Sequence, residues 1–327
     1  MMKTPLRAWF AALLGLALLC LPSRASALDD APPPAAPRTV VVGTYVNHIY
    51  GIDIKNSQYT VDFYIWFRWE GEELKPLDSF EVAGGRVTSK TGIEKKKLGA
   101  LNYTSARVIA TVTKFWDLKR FPLDGHTLTL EIEDAEHDTR TMVYEQDHDN
   151  IGISPELQVP GWVVKTTRAD VERHLYQTNY GDTSFPTNTE SRYARYRFSI
   201  EVARPGYGRF LKVFFGLFIS VLVSWCAFWV RPKESSPRVS LGVGATFAAS
   251  AVTVTINNSL PDTNSVTMAD KLIMLTLGII VLSLAETIVA LTLLAGNKEA
   301  TQQRIDRVCR WLFPLAYGVA LAAIVTW

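Results

Sequence analysis

The periodicity of hydrophobic and polar positions changes once along the chain, near residue 205. Before this point, short runs rich in β-branched and aromatic residues are separated by Gly, Asp, Asn and Pro, a pattern typical of antiparallel β-strands. We predict strands at 39–46, 59–69, 106–116, 126–134, 139–145, 161–167 and 192–202. The sequence therefore predicts an all-β sandwich over residues 28–205.

After residue 205 the chain contains four apolar stretches of spanning or near-spanning length for a bilayer. They lie at 211–230, 239–257, 272–295 and 311–327. The sequence therefore predicts that an all-α four-helix transmembrane bundle over residues 206–327 follows the sandwich.

The charges of the links between these stretches predict the orientation of the chain. The first and third links contain Lys and Arg, whereas the second link, 258–270, contains neither. The basic residues are Arg231, Lys233, Arg238, Lys298, Arg304, Arg307 and Arg310. Because cytoplasmic links carry an excess of Lys and Arg, we expect a multi-pass protein of the inner membrane with its β domain outside the cytoplasm.

Residues 1–27 have the layout of a secretory signal peptide. Lys3 and Arg7 precede an apolar run, and the small residues ASA precede Leu28. The alternative is a retained anchor helix, although the run is short for a span. Cys20 would leave with the signal, so the exported β domain would contain no cysteine and would depend on its own core.

The composition argues against nucleic-acid binding and against an enzyme. The chain is 48% hydrophobic and 20% charged, and its net charge of +2 gives no support for a nucleic-acid partner. The histidines show no metal-ligand spacing, and no Gly-rich phosphate loop or nucleophile elbow is present. The acidic segment 131–140 is interpreted as a solvated loop, with a Ca²⁺ site or a catalytic carboxylate pair as the alternative. We expect no cofactor and no bound metal.

The second apolar stretch is crowded with Ser, Thr, Gly and Ala, and its only large ring is Phe247. On a helix, alternating steps of three and four residues bring six of its positions onto one face. These positions are Ser240, Gly244, Phe247, Ala251, Val254 and Asn258. Several copies of this face around an axis would form a pore with an aromatic constriction, whereas small residues also permit close helix packing. The pattern alone leaves both interpretations open.

Several motifs occur in one order along the chain. They are FPLD at 121–124, Arg204 before the first span, SWCAFW at 224–229, PRVSLGV at 237–243 and LPDTNSVTMAD at 260–270. Together with the sandwich and the four spans, these motifs resemble the pentameric ligand-gated ion channels of bacteria, in the Cys-loop receptor superfamily. The FPLD loop lacks the cysteines of the animal receptors, as is usual in bacterial members. The family commonly has proline midway along the first span, where this chain has Gly216.

The resemblance implies a homopentameric channel, opened by a ligand or by protons, in which copies of the 240–258 face surround an axial pore. The expected partners are further copies of the chain, a small-molecule agonist or protons, permeant monovalent ions and membrane lipid. The alternative from another class is a membrane-anchored periplasmic sensor or binding protein that does not conduct ions. Such a protein would need neither the polar stripe nor the ringed constriction.

The strand at 59–69 has two distinct faces. The predicted core face carries Phe63, Ile65, Phe67 and Trp69. The other face carries Tyr64, Trp66 and Arg68, and it is exposed unless a neighbouring subunit covers it. The resemblance places this face on one side of an interfacial agonist site. The residues expected on the opposite side are Asn102, Tyr103, Glu145, Tyr176, Tyr180 and Phe185. Aromatic rings with a carboxylate suit a small cation, whereas Tyr176 and Tyr180 are alternatively ordinary hairpin residues.

The resemblance also places the gating contacts between the β domain and the outer link of the spans. The residues concerned are Lys55, Phe121, Pro122, Asp124, Arg204 and Pro261. Asp124 and Arg204 are expected to form an ion pair, which acts in gating, as a structural clamp, or in both roles.

Two further sites lie within the predicted bundle. Glu286 is in the third span, where an ionisable group is costly unless it is paired, protonated or in contact with water. We interpret it as a proton-linked element or, alternatively, as an anchor that reaches the inner interface. Glu234 and Arg238 are the expected selectivity residues of the inner mouth. The basic residues around the inner mouth slightly favour selectivity for anions. Asp262 near the outer mouth would attract cations, so cation selectivity is the alternative.

Overall fold

The computed structural model describes residues 36–181, 191–231, 233–262 and 265–326. The predicted signal peptide, 1–27, and the predicted ligand residue Phe185 lie outside these ranges. Residues from Pro37 onward belong to one compact unit, which contains both the strands and the helices.

The β domain is a two-sheet sandwich. Its strands are β1 (Arg38–Asp53), β2 (Gln58–Glu70), β3 (Phe80–Val82), β4 (Gly85–Leu98), β5 (Leu101–Thr113), β6 (Gly125–Asp134), β7 (Met142–Gln146), β8 (Gly152–Ile153), β9 (Val163–Tyr176) and β10 (Ser191–Ala203). One sheet has the order β4-β5-β2-β1-β7 with β8 also beside β1, and the other has the order β3-β6-β10-β9. Pairing is antiparallel, except that β7 and β8 run parallel to β1.

The core of the sandwich follows the predicted alternation of side chains. On β2, Phe63, Ile65 and Phe67 are fully buried, as predicted. The same buried cluster includes Leu130 of β6 and Phe198 of β10, so both sheets contribute to it. Burial of one such side chain stabilises the fold by roughly 1.5–3 kcal/mol. This apolar core stabilises a domain whose sequence from 36 to 203 contains no cysteine.

Strands β3, β4 and β8 were not predicted from the sequence. β4 has the sequence GRVTSKTGIEKKKL, and most of its side chains are exposed. It lies at the edge of the larger sheet, where it pairs with β5. Lysines on an edge strand discourage pairing with other chains. They also remove the apolar alternation by which a strand is recognised in a sequence.

Four helices follow β10 in the described ranges, and each is long and apolar enough to cross a membrane. They are α1 (Gly208–Cys226), which continues as a 3₁₀ turn (Ala227–Trp229), α2 (Ser235–Asn258), α3 (Met268–Ala295) and α4 (Glu299–Thr326). The predicted fold class, a β-sandwich followed by an all-α four-helix bundle, is confirmed. The boundary proposed after residue 205 falls in the link between β10 and α1.

Helices α3 and α4 begin earlier than the apolar pattern predicts. α3 begins after Thr267, whose hydroxyl accepts a hydrogen bond from the Asp270 amide, while the Asp270 carboxylate accepts one from the Thr267 amide. This capping box satisfies two amides that the first turn leaves free. α4 begins at Glu299 rather than at residue 311 because its first turns are polar, and hydropathy does not detect them.

Gly216 permits a close approach between α1 and α2. A Cβ atom at this position would lie 2.6 Å from Cγ2 of Val252. Any side chain there, including a proline ring, would push the two helices apart. The Gly216 carbonyl also accepts a hydrogen bond of 2.8 Å from the Ser220 hydroxyl one turn later.

Candidate functional site: the α2 stripe, the aromatic faces and the domain junction

The predicted stripe on α2 lies on an exposed face of the subunit. All six positions are exposed, and they are Ser240, Gly244, Phe247, Ala251, Val254 and Asn258. The Phe247 side chain is 73% exposed. The buried face of the same helix carries Arg238, Gly242, Ala245, Ala249 and Ile256. The helix therefore packs on its neighbours with one face and leaves the polar, small-residue stripe uncovered.

The threonine hydroxyls of α2, which lie outside the stripe, donate hydrogen bonds within the helix. Thr246 donates to the Gly242 carbonyl at 2.9 Å, and Thr253 donates to the Ala249 carbonyl at 2.9 Å. Such bonds to the carbonyl one turn earlier let threonine occupy an apolar environment. The threonines therefore add little polarity outside the stripe.

Arg238 does not share the exposed face, and this corrects the expectation that its charge adds to a positive inner mouth. Its side chain is fully buried. One guanidinium nitrogen lies 2.6 Å from Glu286 of α3 and 2.8 Å from Asp306 of α4. Two carboxylates therefore surround one buried cation, since a buried charge is costly without such partners. Glu234, the other predicted mouth residue, is exposed immediately before α2.

The same contacts define the environment of Glu286. It is buried, and one oxygen accepts from Arg238 while the other, Oε1, has no hydrogen-bond partner among the described residues. Asp306 also accepts a hydrogen bond of 2.6 Å from Gln302. Glu286 is thus a paired group inside the bundle rather than a side chain that reaches the inner interface. Asp306 was not predicted from the sequence, because the cation that it pairs with, Arg238, lies 68 residues away along the chain.

The predicted agonist face of β2 is partly occupied by contacts within the subunit. Tyr64 is 42% exposed. Trp66 lies over Gly43 of β1, where a Cβ atom would be only 2.4 Å from the indole ring. The Trp66 Nε1–H donates to Asp147 at 2.9 Å, and Arg68 forms an ion pair with the same carboxylate at 3.0 Å. Trp66 and Arg68 are therefore anchored to the loop after β7, a role that sequence reasoning missed.

A second aromatic group lies on β9 and β10. The Tyr176 ring is in contact with the rings of His174, Tyr180 and Tyr193, with centroid separations of 4.6, 5.7 and 5.8 Å. The Tyr176 hydroxyl donates to Glu133 at 2.8 Å, and burial together with this carboxylate raises the pKa of Tyr176 to about 12. Tyr180 is 63% exposed. The cluster therefore combines exposed aromatic surface with a nearby carboxylate.

The structure separates the remaining ligand-site residues. Asn102 and Tyr103 are on β5, where Asn102 donates to the Gly71 carbonyl at 2.5 Å and Tyr103 is opposite Arg68 in the strand register. Glu145 is on β7, opposite Val41 of β1. These residues belong to the larger sheet, whereas Tyr176 belongs to the smaller one. One subunit alone therefore does not assemble the predicted agonist site.

The junction between the two domains contains the predicted ion pair. Nε of Arg204 lies 3.5 Å from Oδ1 of Asp124, and both side chains are buried. His126 contacts the other carboxylate oxygen at 2.6 Å, and its ring packs edge-on against Trp162. The Arg204 guanidinium stacks on Trp162 at 3.5 Å from the ring centroid. His126 and Trp162 were missed, although His126 is only two positions after the predicted Asp124.

The electrostatics of this junction favour a charged pair. Burial tends to raise the pKa of Asp124, but the His126 hydrogen bond and the Arg204 charge outweigh it, so the pKa lies below the usual value. Burial lowers the pKa of Arg204 to about 10, which still leaves it charged at neutral pH.

The FPLD loop also contacts the start of α3. The Met268 amide donates a hydrogen bond of 2.8 Å to the carbonyl of Lys119. In the same loop Phe121 and Pro122 are buried. Of the other predicted gating residues, Lys55 is exposed in the turn after β1 and Pro261 is half-buried in the outer link.

Comparisons with known proteins agree with this layout. No protein-family model matches the chain. A proton-gated ion channel of Gloeobacter violaceus is 22% identical over 98% of this chain and 92% of its own length. The epsilon subunit of the gamma-aminobutyric acid receptor of Rattus norvegicus is 22% identical over 72% of this chain, and the human rho-1 subunit is 22% identical over 62%. The chain spans only 49% and 40% of these two receptor subunits.

Sequence and architecture thus agree: a β-sandwich precedes four membrane-spanning helices, and the homologues are ion channels and receptor subunits. The chain is a multi-pass membrane protein, and its homologues are a bacterial proton-gated ion channel and gamma-aminobutyric acid receptor subunits, which belong to the Cys-loop receptor superfamily.

Proposed function

We propose that the protein is a homopentameric ion channel of the inner membrane, with its β domain outside the cytoplasm and α2 lining an axial pore. It conducts monovalent ions, and a small-molecule agonist or protons acting on the β domain open it. The homologous channel of Gloeobacter violaceus is a proton-gated ion channel, which supports conduction and supports protons as one activator.

The observation that carries this proposal is the contrast between the exposed faces of α2 and α4. The exposed face of α4 includes Trp311, Leu315 and Val319, which are 68%, 64% and 64% exposed. Large apolar side chains of this kind suit lipid. The α2 stripe instead has Ser240 and Asn258 at its ends and Phe247 near its middle. Copies of Phe247 around an axis form a constriction that excludes water without any charged plug.

Activation is proposed to begin where the two aromatic faces of neighbouring subunits meet. The Tyr64 face of the larger sheet and the Tyr176–Tyr180 contact of the smaller sheet each expose aromatic surface. Such rings suit a small cation. The change would pass through Asp124 and Arg204 at the junction and through the Lys119–Met268 hydrogen bond to α3.

The proposal is tested by cysteine accessibility during current recording. In a background with Cys20, Cys226 and Cys309 replaced by serine, Val254→Cys is compared with Val319→Cys. The two valines are similarly exposed, at 59% and 64%, but they lie on α2 and α4. We expect a charged, membrane-impermeant thiol reagent to block current through Val254→Cys and to leave Val319→Cys unaffected.

Equal sensitivity of the two variants would contradict a pore lined by α2. If reconstituted wild-type protein carries no current at any pH or with any amine tested, the non-conducting sensor becomes the better description. Counting of subunits by native mass spectrometry tests the pentamer separately.

A further inference from the structure

A cavity of about 420 Å³ lies where β2, β4 and β5 meet the segment 71–78. Its volume is within the range of small-molecule sites, roughly 300–1,000 Å³. Asn102 and Tyr103, which were expected to contribute to an interfacial agonist site, line this cavity within one subunit. The α2 stripe and the Asp124–Arg204 junction contribute none of its lining residues.

Part of the cavity wall is apolar. Leu74 and Leu77 are 3% and 1% exposed, and Trp69 packs against the core of the sandwich. The Tyr103 ring also lines the cavity, with Nζ of Lys96 at 4.8 Å from its centroid. Flat aromatic and aliphatic surfaces of this kind favour a ligand with a planar apolar body.

The charged side chains of the cavity are predominantly basic. Its lining includes four lysines and two carboxylates, namely Lys75, Lys95, Lys96, Lys97, Glu72 and Asp78. Both carboxylates are already paired, Glu72 with Lys97 at 2.5 Å and Asp78 with Lys95 at 3.5 Å. The lining itself carries an excess of two positive charges, but Lys96 is paired at 3.1 Å with Glu94 outside the lining, so Lys75 is the lining lysine without a carboxylate partner among the described residues. A concave site lined mostly by one sign of charge concentrates ions of the opposite sign.

One hydrogen-bond donor of the cavity wall has no partner. Nε1 of Trp69 is buried and has no acceptor among the described residues. Buried N–H groups are almost always paired, so a lone one calls for an acceptor that the described residues do not supply. The Asn102 amide, by contrast, is already bonded to the Gly71 carbonyl.

We propose that this cavity binds a small carboxylate with a flat apolar body, such as an aromatic acid. The apolar body packs against Trp69, Leu74 and Leu77, and the carboxylate lies among the lysines and accepts a hydrogen bond from Nε1 of Trp69. The β9–β10 aromatic cluster suits a small cation, which the positive charge of this cavity would disfavour. The two sites therefore differ in the charge of the ligand they select.

The test uses ¹⁹F NMR on the full-length detergent-solubilised protein with three probes of similar size. They are 4-fluorobenzoate, the neutral 4-fluorobenzamide and the cationic 4-fluorobenzylamine. We expect line broadening that saturates for 4-fluorobenzoate and is much weaker for the other two. Lys96→Gln removes one charge and should weaken 4-fluorobenzoate binding about fivefold. Trp69→Phe keeps the ring and removes the N–H, and a similar loss is expected.

Lys165→Gln is the matched control, because Lys165 is exposed on β9 in the other sheet and should not alter binding. Equal binding of all three probes, or 4-fluorobenzoate binding that neither Lys96→Gln nor Trp69→Phe weakens, would overturn the proposal. Binding is measured without current, so the result does not depend on whether the protein conducts ions.

Discussion

Nη2 of Arg238 lies 2.6 Å from Oε2 of Glu286, and this buried contact joins α2 to α3. The same nitrogen lies 2.8 Å from Asp306, so one guanidinium connects three of the spanning helices. A side chain held in this way fixes the rotation of α2 about its own axis. That rotation decides which residues of α2 form its exposed stripe.

The first prediction follows from this cluster. Arg238→Gln leaves two buried carboxylates without their cation, and we expect it to lower the free energy of unfolding by about 3–5 kcal/mol. Glu286→Gln should lower the free energy of unfolding by a smaller amount, because Arg238 keeps both of its hydrogen bonds to Asp306. Thermal unfolding of the purified protein measures the order of the effects. Arg307→Gln, at an exposed position of α4, is the control. A loss of stability in Arg307→Gln as large as that in Arg238→Gln would contradict the cluster's role.

Glu286→Gln also tests proton linkage. If a proton on this buried carboxyl contributes to gating, the variant should alter the pH dependence of the current, since glutamine cannot titrate. Asp270→Asn, at the outer start of α3, serves as a control for a carboxylate on the same helix. A pH profile of Glu286→Gln identical to that of wild type would leave Glu286 with a packing role alone.

Replacement of Phe247 should open the proposed constriction. Phe247→Ser removes an apolar ring that is 73% exposed on the stripe, and we expect a larger resting current or activation at lower agonist concentration. Ala248→Ser introduces the same hydroxyl at the adjacent exposed position, which is outside the stripe. Recordings in which the two variants behave alike would argue against a Phe247 constriction.

The junction should lose stability in acid. The pKa of Asp124 is lowered in the folded protein, so its stabilising contribution is fully present above the ordinary carboxyl value and is lost as pH falls through the lowered one. We therefore expect the unfolding temperature to fall with pH below about 4. Asp124→Asn should be less stable at pH 7 by about 3 kcal/mol and should show less of this acid dependence. Asp78→Asn, at an exposed carboxylate, should behave like wild type.

The two aromatic faces should respond differently to substitution. Tyr64→Ala and Tyr180→Ala remove exposed rings, and each should weaken activation by a cationic agonist by about 1–2 kcal/mol. Trp66→Phe should mainly reduce stability, because it breaks the hydrogen bond to Asp147. Dose–response curves and thermal unfolding separate the two effects. Ile93→Ala, an exposed position on β4, is the control. Unchanged activation in both tyrosine variants would place the agonist elsewhere.

Much of the fold was predictable because side-chain alternation is a local property. The Phe63 face of β2 and the stripe on α2 both follow from spacing within a single element. The partners of Arg238 were not predictable, because Glu286 and Asp306 lie 48 and 68 residues away in the sequence. Trp66 illustrates the same limit, since its partner Asp147 is 81 residues distant. A residue that the sequence pattern places on an exposed face can therefore be fixed in place by a hydrogen bond to a residue that is distant along the chain.

The hydrogen bond between the β domain and α3 at Lys119 and Met268 joins two backbone atoms. Exchange of either side chain therefore leaves the hydrogen bond itself in place, although the Met268 side chain is also buried in the core and its replacement by alanine would lower stability for that separate reason. Only a change that removes the amide, such as proline or an ester bond at position 268, interrupts the contact. The side chain at position 119 can accordingly change while the β domain keeps this backbone connection to the membrane-spanning helices.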